Sequence, residues 1–261
     1  MLATRSLLFN ALFYLNLVVL MIVGLPTMLF GRKAVFALAR LWGAISVCLL
    51  EAVCGLKLEY RGIGNIPPGA VLIAVKHQSF LETFALLKYA PDFAIILKRQ
   101  LTYVPLFGLY LIVSQQIAID RGRGRRALQQ IAASARTVFA AGRQVFIYPE
   151  GTRRVPGAPP KYKQGVAALY AETGVPCLPV AVNTGLFWRR RGFLRRPGVA
   201  VIEYLPVIAP GLDRAAFSER LESTIETACA RLNAEALAKD PSLAAVLADG
   251  ANMDFEAPHV A

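Results

Sequence analysis

Histidine is nearly missing from this chain: there are two in 261 residues, His77 and His259. Cysteine is also sparse. Cys48, Cys54, Cys177 and Cys229 form no C-x-x-C pair and have no histidine nearby, which argues against a zinc site or a thioredoxin-like motif. They read as reduced, buried small hydrophobes. No G-x-S-x-G elbow, Walker loop or zinc-finger spacing occurs, so neither a serine hydrolase nor a nucleotide-binding loop is indicated. No internal repeat or low-complexity tract is visible, and nothing in the sequence calls for a cofactor or a metal. Acidic residues are scarce too: 17 Asp and Glu stand against 29 Lys and Arg, giving a formal net charge of +12, while 56% of residues are apolar. Soluble domains rarely combine the two, and the combination calls for one anionic and one greasy partner. Nucleic acid would account for the charge but not for the grease.

The grease is concentrated at the N-terminus, where residues 6–31 carry no charge between Arg5 and Arg32. A bilayer span needs about 20 such residues. A second apolar segment, 34–53, is interrupted by Arg40 and closed by Glu51, and suits a span or the interfacial half of a helical hairpin. The first run is too long for a signal peptide and no small-residue cleavage site follows it. Residues 1–54 are therefore expected to be a retained membrane anchor. Arg32, Lys33 and Arg40 and the basic body behind them place the bulk of the chain on the cytoplasmic side of the membrane. A non-catalytic membrane adaptor would share these features, but it gives no reason for the ordered motifs below.

From Gly55 onward, short apolar runs alternate with amphipathic ones. Strands are expected at 56–62, 70–76, 93–98, 116–120, 144–150, 175–183 and 198–208, with helices between them and a last one at 213–239. Strands apolar on both faces and separated by helices make this an α/β chain with a mixed, mostly parallel central sheet covered by helices. The α/β domain is read as 55–239, and 240–261 as a loosely ordered tail.

In such sheets chemistry collects at the carboxyl ends of strands, and that is where His77 falls, with Glu82 five residues on. In one regular helix the two would point about 140° apart. With His77 in a strand-to-helix loop, the imidazole can fold back toward the carboxylate and act as a general base for an alcohol. The same pair also suits a helix cap and a glutamate favoured by the helix dipole. FIYPEGTRR (146–154) sets Glu150, Gly151, Thr152 and Arg153 directly after a strand, where an arginine suits bidentate binding of phosphate and a glycine permits close backbone approach; a Pro-Glu-Gly turn with a solvated arginine fits as well. AIDRGRGRR (118–126) ends a strand in four arginines, otherwise a solvated basic loop. In VPCLPVAVN (175–183) two prolines flank a strand, a pattern suited to a pocket edge more than to a central ladder. FWRRRGFLRRPG (187–198) suits either anionic headgroups, with Phe187, Trp188 and Phe193 at interfacial depth, or a solvated loop.

In this order, the motifs resemble those of the glycerophospholipid acyltransferase family. HQSFLE is similar to its H-x-x-x-x-D, with Glu82 in place of the aspartate. AIDRGRG is similar to a second block ending in arginine, YPEGTR to F-P-E-G-T-R, and VPCLPVAVN to a fourth block with a proline. The resemblance covers about residues 55–210 and implies transfer of a fatty acyl group from an acyl-acyl carrier protein or acyl-CoA to the sn-2 hydroxyl of 1-acyl-glycerol-3-phosphate, a membrane lipid acceptor, giving phosphatidic acid. Another lysolipid acceptor, such as lyso-ornithine lipid, is the alternative. It further implies that His77 and Glu82 form the catalytic pair, that Arg121, Arg153 and Lys98 hold the substrate phosphate, and that Glu150, Gly151, Thr152 and Pro179 support the pocket or the oxyanion. Backbone N–H groups near Gly151 or Ser79 are the oxyanion candidates.

Overall fold

The computed structural model of the chain describes residues 1–120 and 125–252. Seven strands, β1 (Leu56–Arg61), β2 (Leu72–Val75), β3 (Phe93–Lys98), β4 (Ile117–Ile119), β5 (Gln144–Ile147), β6 (Cys177–Val182) and β7 (Gly198–Tyr204), form one sheet in the order β1-β7-β6-β2-β5-β3-β4. The run from β6 to β4 is parallel throughout, while β7 is antiparallel to β6 and parallel to β1. This is the mixed, mostly parallel sheet that the alternation of the sequence implies. The connecting helices are α3 (Leu81–Ala85), α4 (Phe107–Val113), α5 (Arg125–Ala140), α6 (Gln164–Thr173) and α7 (Arg214–Lys239).

Both faces of the sheet are covered, and the side-chain period of two sorts each strand between them. On β2, Ile73 and Val75 enter the core that holds Phe84, Phe93 and Phe146, whereas Leu72 and Ala74 enter the core that holds Phe139, Tyr170 and Phe217. Complete burial of side chains such as Leu72 and Ile73 contributes ~1.5–3 kcal/mol each. The first core is closed by the N-terminal helices α1 (Leu2–Val23) and α2 (Arg32–Leu49), which bring Phe9, Phe13 and Phe36 into it. Residues 1–54 thus pack into the core of the α/β unit. The two helices are long and apolar enough to cross a membrane by length and composition. α1 turns Leu7, Leu8, Leu15 and Ile22 outward. Arg40, the interruption in the second run, donates to the Pro91 carbonyl at 3.0 Å, and Arg32 pairs with Asp92 at 3.1 Å.

Two expectations are corrected. The proline-flanked strand, read as unsuited to a central ladder, is β6, an interior strand paired with both β2 and β7. Its ladder with β7 starts only at Val180, and the carbonyl of Pro179 still accepts from Leu205 N at 2.9 Å, so the missing N–H is tolerated there. The tail from Asp240 is ordered as far as Asn252: the Asp240 carboxylate caps a short turn through Ser242 N, and helix α8 (Ala244–Asn252) follows. Leu243 and Val246 hold it down, both fully buried.

Candidate active site

Three of the four motifs meet at the carboxyl ends of β2, β5 and β6, while AIDRGRG begins within β4, at the edge of the sheet. After Val75 the chain leaves β2 through a non-helical stretch, 76–80, before α3 begins at Leu81. Ser79 Oγ accepts from Leu81 N at 3.1 Å, which starts the helix. His77 therefore sits in the loop and Glu82 in the helix, the arrangement in which the imidazole can fold over the first turn.

Glu82 is fully buried. Its Oε1 accepts from Gln78 N at 2.8 Å, Ser79 N at 2.9 Å and Thr184 Oγ1 at 2.7 Å, and its Oε2 from Ser79 N at 3.0 Å. The carboxylate thus winds the His77 loop around itself and ties it to the end of β6. Burial pushes its pKa up to about 7 against the opposing pull of these donors. His77, 9% exposed, lies flat on Tyr148 with 3.9 Å between ring centroids and 18° between planes. Burial first, then the Glu82 charge, holds the Tyr148 phenol well above its ordinary range, so it stays neutral.

β5 delivers the second half of the site. Gly151 N donates to Tyr148 O at 2.8 Å, closing a turn that needs φ +67° at Gly151, a left-handed conformation that glycine adopts without strain. Arg154 N donates to His77 O at 2.8 Å and laces this turn to the histidine loop. The Arg153 guanidinium stands 5.3 Å from the centre of the Phe80 ring, a cation–π contact that fixes its direction. Burial, then the charges of Arg191, Arg153 and Arg154, lowers the pKa of Arg190. These arginines therefore converge on one electropositive region, which a compact dianion would relieve.

The remaining expected residues scatter. Lys98 ends β3 and is exposed. Arg121 lies outside the described residues. Thr152 is exposed beside Arg153, and Pro179 is buried within β6. Glu150 is turned into the protein: its Oε1 lies 3.1 Å from Lys76 Nζ, 3.3 Å from Lys161 N and 3.6 Å from Arg154 Nε. The backbone donors considered for an oxyanion are occupied, Gly151 N by Tyr148 O and Ser79 N by Glu82. Phe187 and Trp188 are buried, leaving Phe193 as the exposed aromatic of the arginine run. Trp188 instead stacks under Arg195, 3.9 Å from ring centre to guanidinium carbon, and edges onto Phe9 of α1 at 5.6 Å. Phe13 of α1 meets Phe80 at 6.0 Å and Phe84 at 5.5 Å. An aromatic wall thus joins the N-terminal helices directly to the loop that bears His77.

Sequence reasoning passed over Tyr148, Lys76, Thr184 and Glu226. Tyr148 stands inside the YPEGTR block, and Lys76 is a charge ending an apolar strand; both were signals in plain view. Thr184 and Glu226 reach the site from 102 and 150 residues away from their partners, and no local pattern marks them. Among the described residues, no group of three His, Cys, Asp or Glu side chains is placed to hold a metal ion.

The chain is similar to known proteins in sequence and in fold. The model of the Acyltransferase family matches residues 57–183. A 1-acyl-sn-glycerol-3-phosphate acyltransferase of Pseudomonas aeruginosa is 38% identical over 171 residues, 66% of this chain and 65% of the relative. One of Mus musculus, the alpha form, is 28% identical over 59% of this chain and 56% of its own length. The chain therefore spans just under two thirds of the first relative and a little over half of the second. A crystal structure of the 1-acyl-sn-glycerophosphate acyltransferase PlsC from Thermotoga maritima shares the fold, with a TM-score of 0.75, 22% identity, and coverage of 90% of this chain and 98% of that one.

Proposed function

This chain carries a domain of the acyltransferase family, and from that premise we propose that it transfers a fatty acyl group from a thioester to the sn-2 hydroxyl of 1-acyl-glycerol-3-phosphate, giving phosphatidic acid. The observation that carries the reading is the lacing of the His77 loop to the Arg153 turn through Arg154 N and His77 O, 2.8 Å apart. It holds a base and a cluster of cations at the ends of two adjacent strands, β2 and β5. In this reading the acceptor's phosphate lies against Arg153, with Lys98 and Arg121 as further cations, and its free hydroxyl faces His77. The imidazole takes the hydroxyl proton as the oxygen attacks the thioester carbonyl. The tetrahedral intermediate then collapses, the C–S bond breaks, and the thiol carrier leaves with the proton from the imidazolium. No acyl-enzyme is needed. Glu82, as the carboxylate, stabilises the imidazolium and holds the loop that carries it.

The apolar outer surface of α1 and the aromatic wall behind Phe80 support a site whose acyl chains lie at a bilayer, and the positive-inside tendency supports its cytoplasmic face. Arg190 and Arg191 meet anionic headgroups, with the exposed Phe193 at interfacial depth. A phosphate-free acceptor such as lyso-ornithine lipid offers the arginine cluster only a single carboxylate balanced by its own ammonium, whereas a phosphate monoester brings a compact dianion, so the phosphate-bearing acceptor is favoured. The test is the purified chain in detergent against a panel of lysolipids, with acyl-CoA and acyl-acyl carrier protein as donors. 1-Acyl-glycerol-3-phosphate should be the preferred acceptor, and His77→Ala should lower turnover about a hundredfold to ten-thousandfold. Preferential turnover of another lysolipid would move the acceptor assignment, and near-normal turnover by His77→Ala would remove the base.

A further inference from the structure

Lys76 immediately precedes His77 and is 4% exposed. It continues the face of β2 on which Leu72 and Ala74 point toward α7, opposite to the face of Ile73 and Val75. Its Nζ lies 2.7 Å from Glu226 Oε1 on α7 and 3.1 Å from Glu150 Oε1, with the Tyr162 ring 5.7 Å away. Tyr162 OH donates to Glu226 Oε1 at 2.9 Å, and Lys161 N to Glu150 Oε1 at 3.3 Å. One ammonium therefore joins the strand that ends in the base, the turn that carries Arg153, and the last long helix.

Such an arrangement is poorly explained by stability alone. Each charge taken from water costs several kcal/mol, and replacing a buried ion pair by apolar side chains of similar volume is often neutral or stabilising. An apolar residue at 76 would simply extend the buried strand. What an apolar residue lacks is a directed bond to the 149–153 turn. Glu150 is three residues from Arg153, and Lys76 is bonded covalently to His77.

We propose that Lys76, held by Glu226, is a positioning residue that sets the spacing between His77 and the phosphate-binding Arg153, so that a phosphate-bearing acceptor seats its hydroxyl at the base. This rests on the function proposed above. The consequence is specific, because an acceptor without phosphate does not use that spacing. Loss of the link should therefore erase the preference for phosphate more than it lowers general activity, since misplacement by about 1 Å is enough to cost on the order of a hundredfold.

The experiment compares the full chain in detergent with Glu226→Gln and with Lys76→Met/Glu226→Gln. In the first, Lys76 keeps Glu150 as partner. In the second, no lysine is left buried, and the amide of residue 226 can still accept from Tyr162. Initial rates are measured with one acyl-CoA on 1-acyl-glycerol-3-phosphate and on monoacylglycerol, with thermal unfolding recorded alongside. The preference for the phosphate-bearing acceptor should fall about tenfold or more in the double variant, and less in Glu226→Gln. Rates that fall in equal proportion on both acceptors, or that do not fall, would overturn the positioning role. A wild type inactive on both acceptors would overturn the functional reading itself, a distinct outcome.

Discussion

The imidazole of His77 rests face to face on the ring of Tyr148, 3.9 Å between centroids. The two residues extend adjacent parallel strands, β2 and β5, so the sheet itself provides the platform for the histidine. Stacking fixes the plane of the imidazole while leaving its nitrogens at the ring edge. Tyr148→Phe should accordingly keep most of the activity. Tyr148→Leu removes the flat surface and lets the ring rotate, so turnover should drop about tenfold or more with little change in the Michaelis constant for either substrate. Steady-state kinetics on the two variants check this, and a Leu variant as active as Phe would show that the platform is dispensable.

Glu82 sets a pH dependence with a definite sign. Its folded pKa of about 7 lies above the ordinary 4.5 because the group is buried. The folded protein thus binds this proton more tightly than the unfolded chain. The stabilisation is complete below about 4.5 and is lost as pH rises through 7, at a slope of about 1.4 kcal/mol per pH unit between the two values. Thermal unfolding of wild type should weaken across this window relative to Glu82→Gln, which has no proton to lose. Activity should run the other way, rising through neutrality as the carboxylate forms, and Glu82→Gln should lose most of it while Glu82→Asp retains a measurable part. Parallel stability curves for wild type and Glu82→Gln would refute the assignment.

Thr184 offers a finer test of the same carboxyl group. Its hydroxyl donates to Glu82 Oε1 at 2.7 Å and favours the ionised form. Thr184→Val deletes that donor at nearly constant volume. A hydrogen bond to a charged group is worth about 1.5–3 kcal/mol, so the acid limb of the turnover profile should move up by about one to two pH units. An unmoved limb, with the variant folded, would detach Thr184 from the titration.

The parts of this architecture legible in the sequence are those written in local patterns. Residues 72–75 and 177–182 are apolar on both faces because they lie inside the sheet, and continuous apolar runs report that directly. His77, Glu82 and Arg153 stand beside strand ends, where local order and motif coincide. Partners brought together by topology were not legible: Glu226 meets Lys76 across 150 positions, and only the packing of α7 on the sheet makes them neighbours. Pro179 misled because a proline reads as an edge, whereas the neighbouring ladder begins one residue later. The ordered tail was a misjudged pattern, since Leu243 and Val246, three apart and both fully buried, mark one face of a helix turn.

Arg153 carries the sharpest test of the orientation of the substrates. Its guanidinium is directed by the Phe80 ring at 5.3 Å, so the planar fork is already aimed before any anion arrives. Arg153→Lys keeps the charge but loses both the fork and much of the ring contact. Loss of one charge-assisted pair costs about 1.5–3 kcal/mol, so the Michaelis constant for 1-acyl-glycerol-3-phosphate should rise about tenfold to a hundredfold. The constant for the acyl donor should stay near its wild-type value. With monoacylglycerol as acceptor, wild type and Arg153→Lys should be similarly poor, because neither has a phosphate to hold. A fall in turnover beyond the change in affinity would add that the phosphate contact also aligns the hydroxyl with His77. A variant that loses affinity for the donor alone would place Arg153 on the thioester carrier instead, and the acceptor's phosphate would then have to lie elsewhere among the cations at these strand ends.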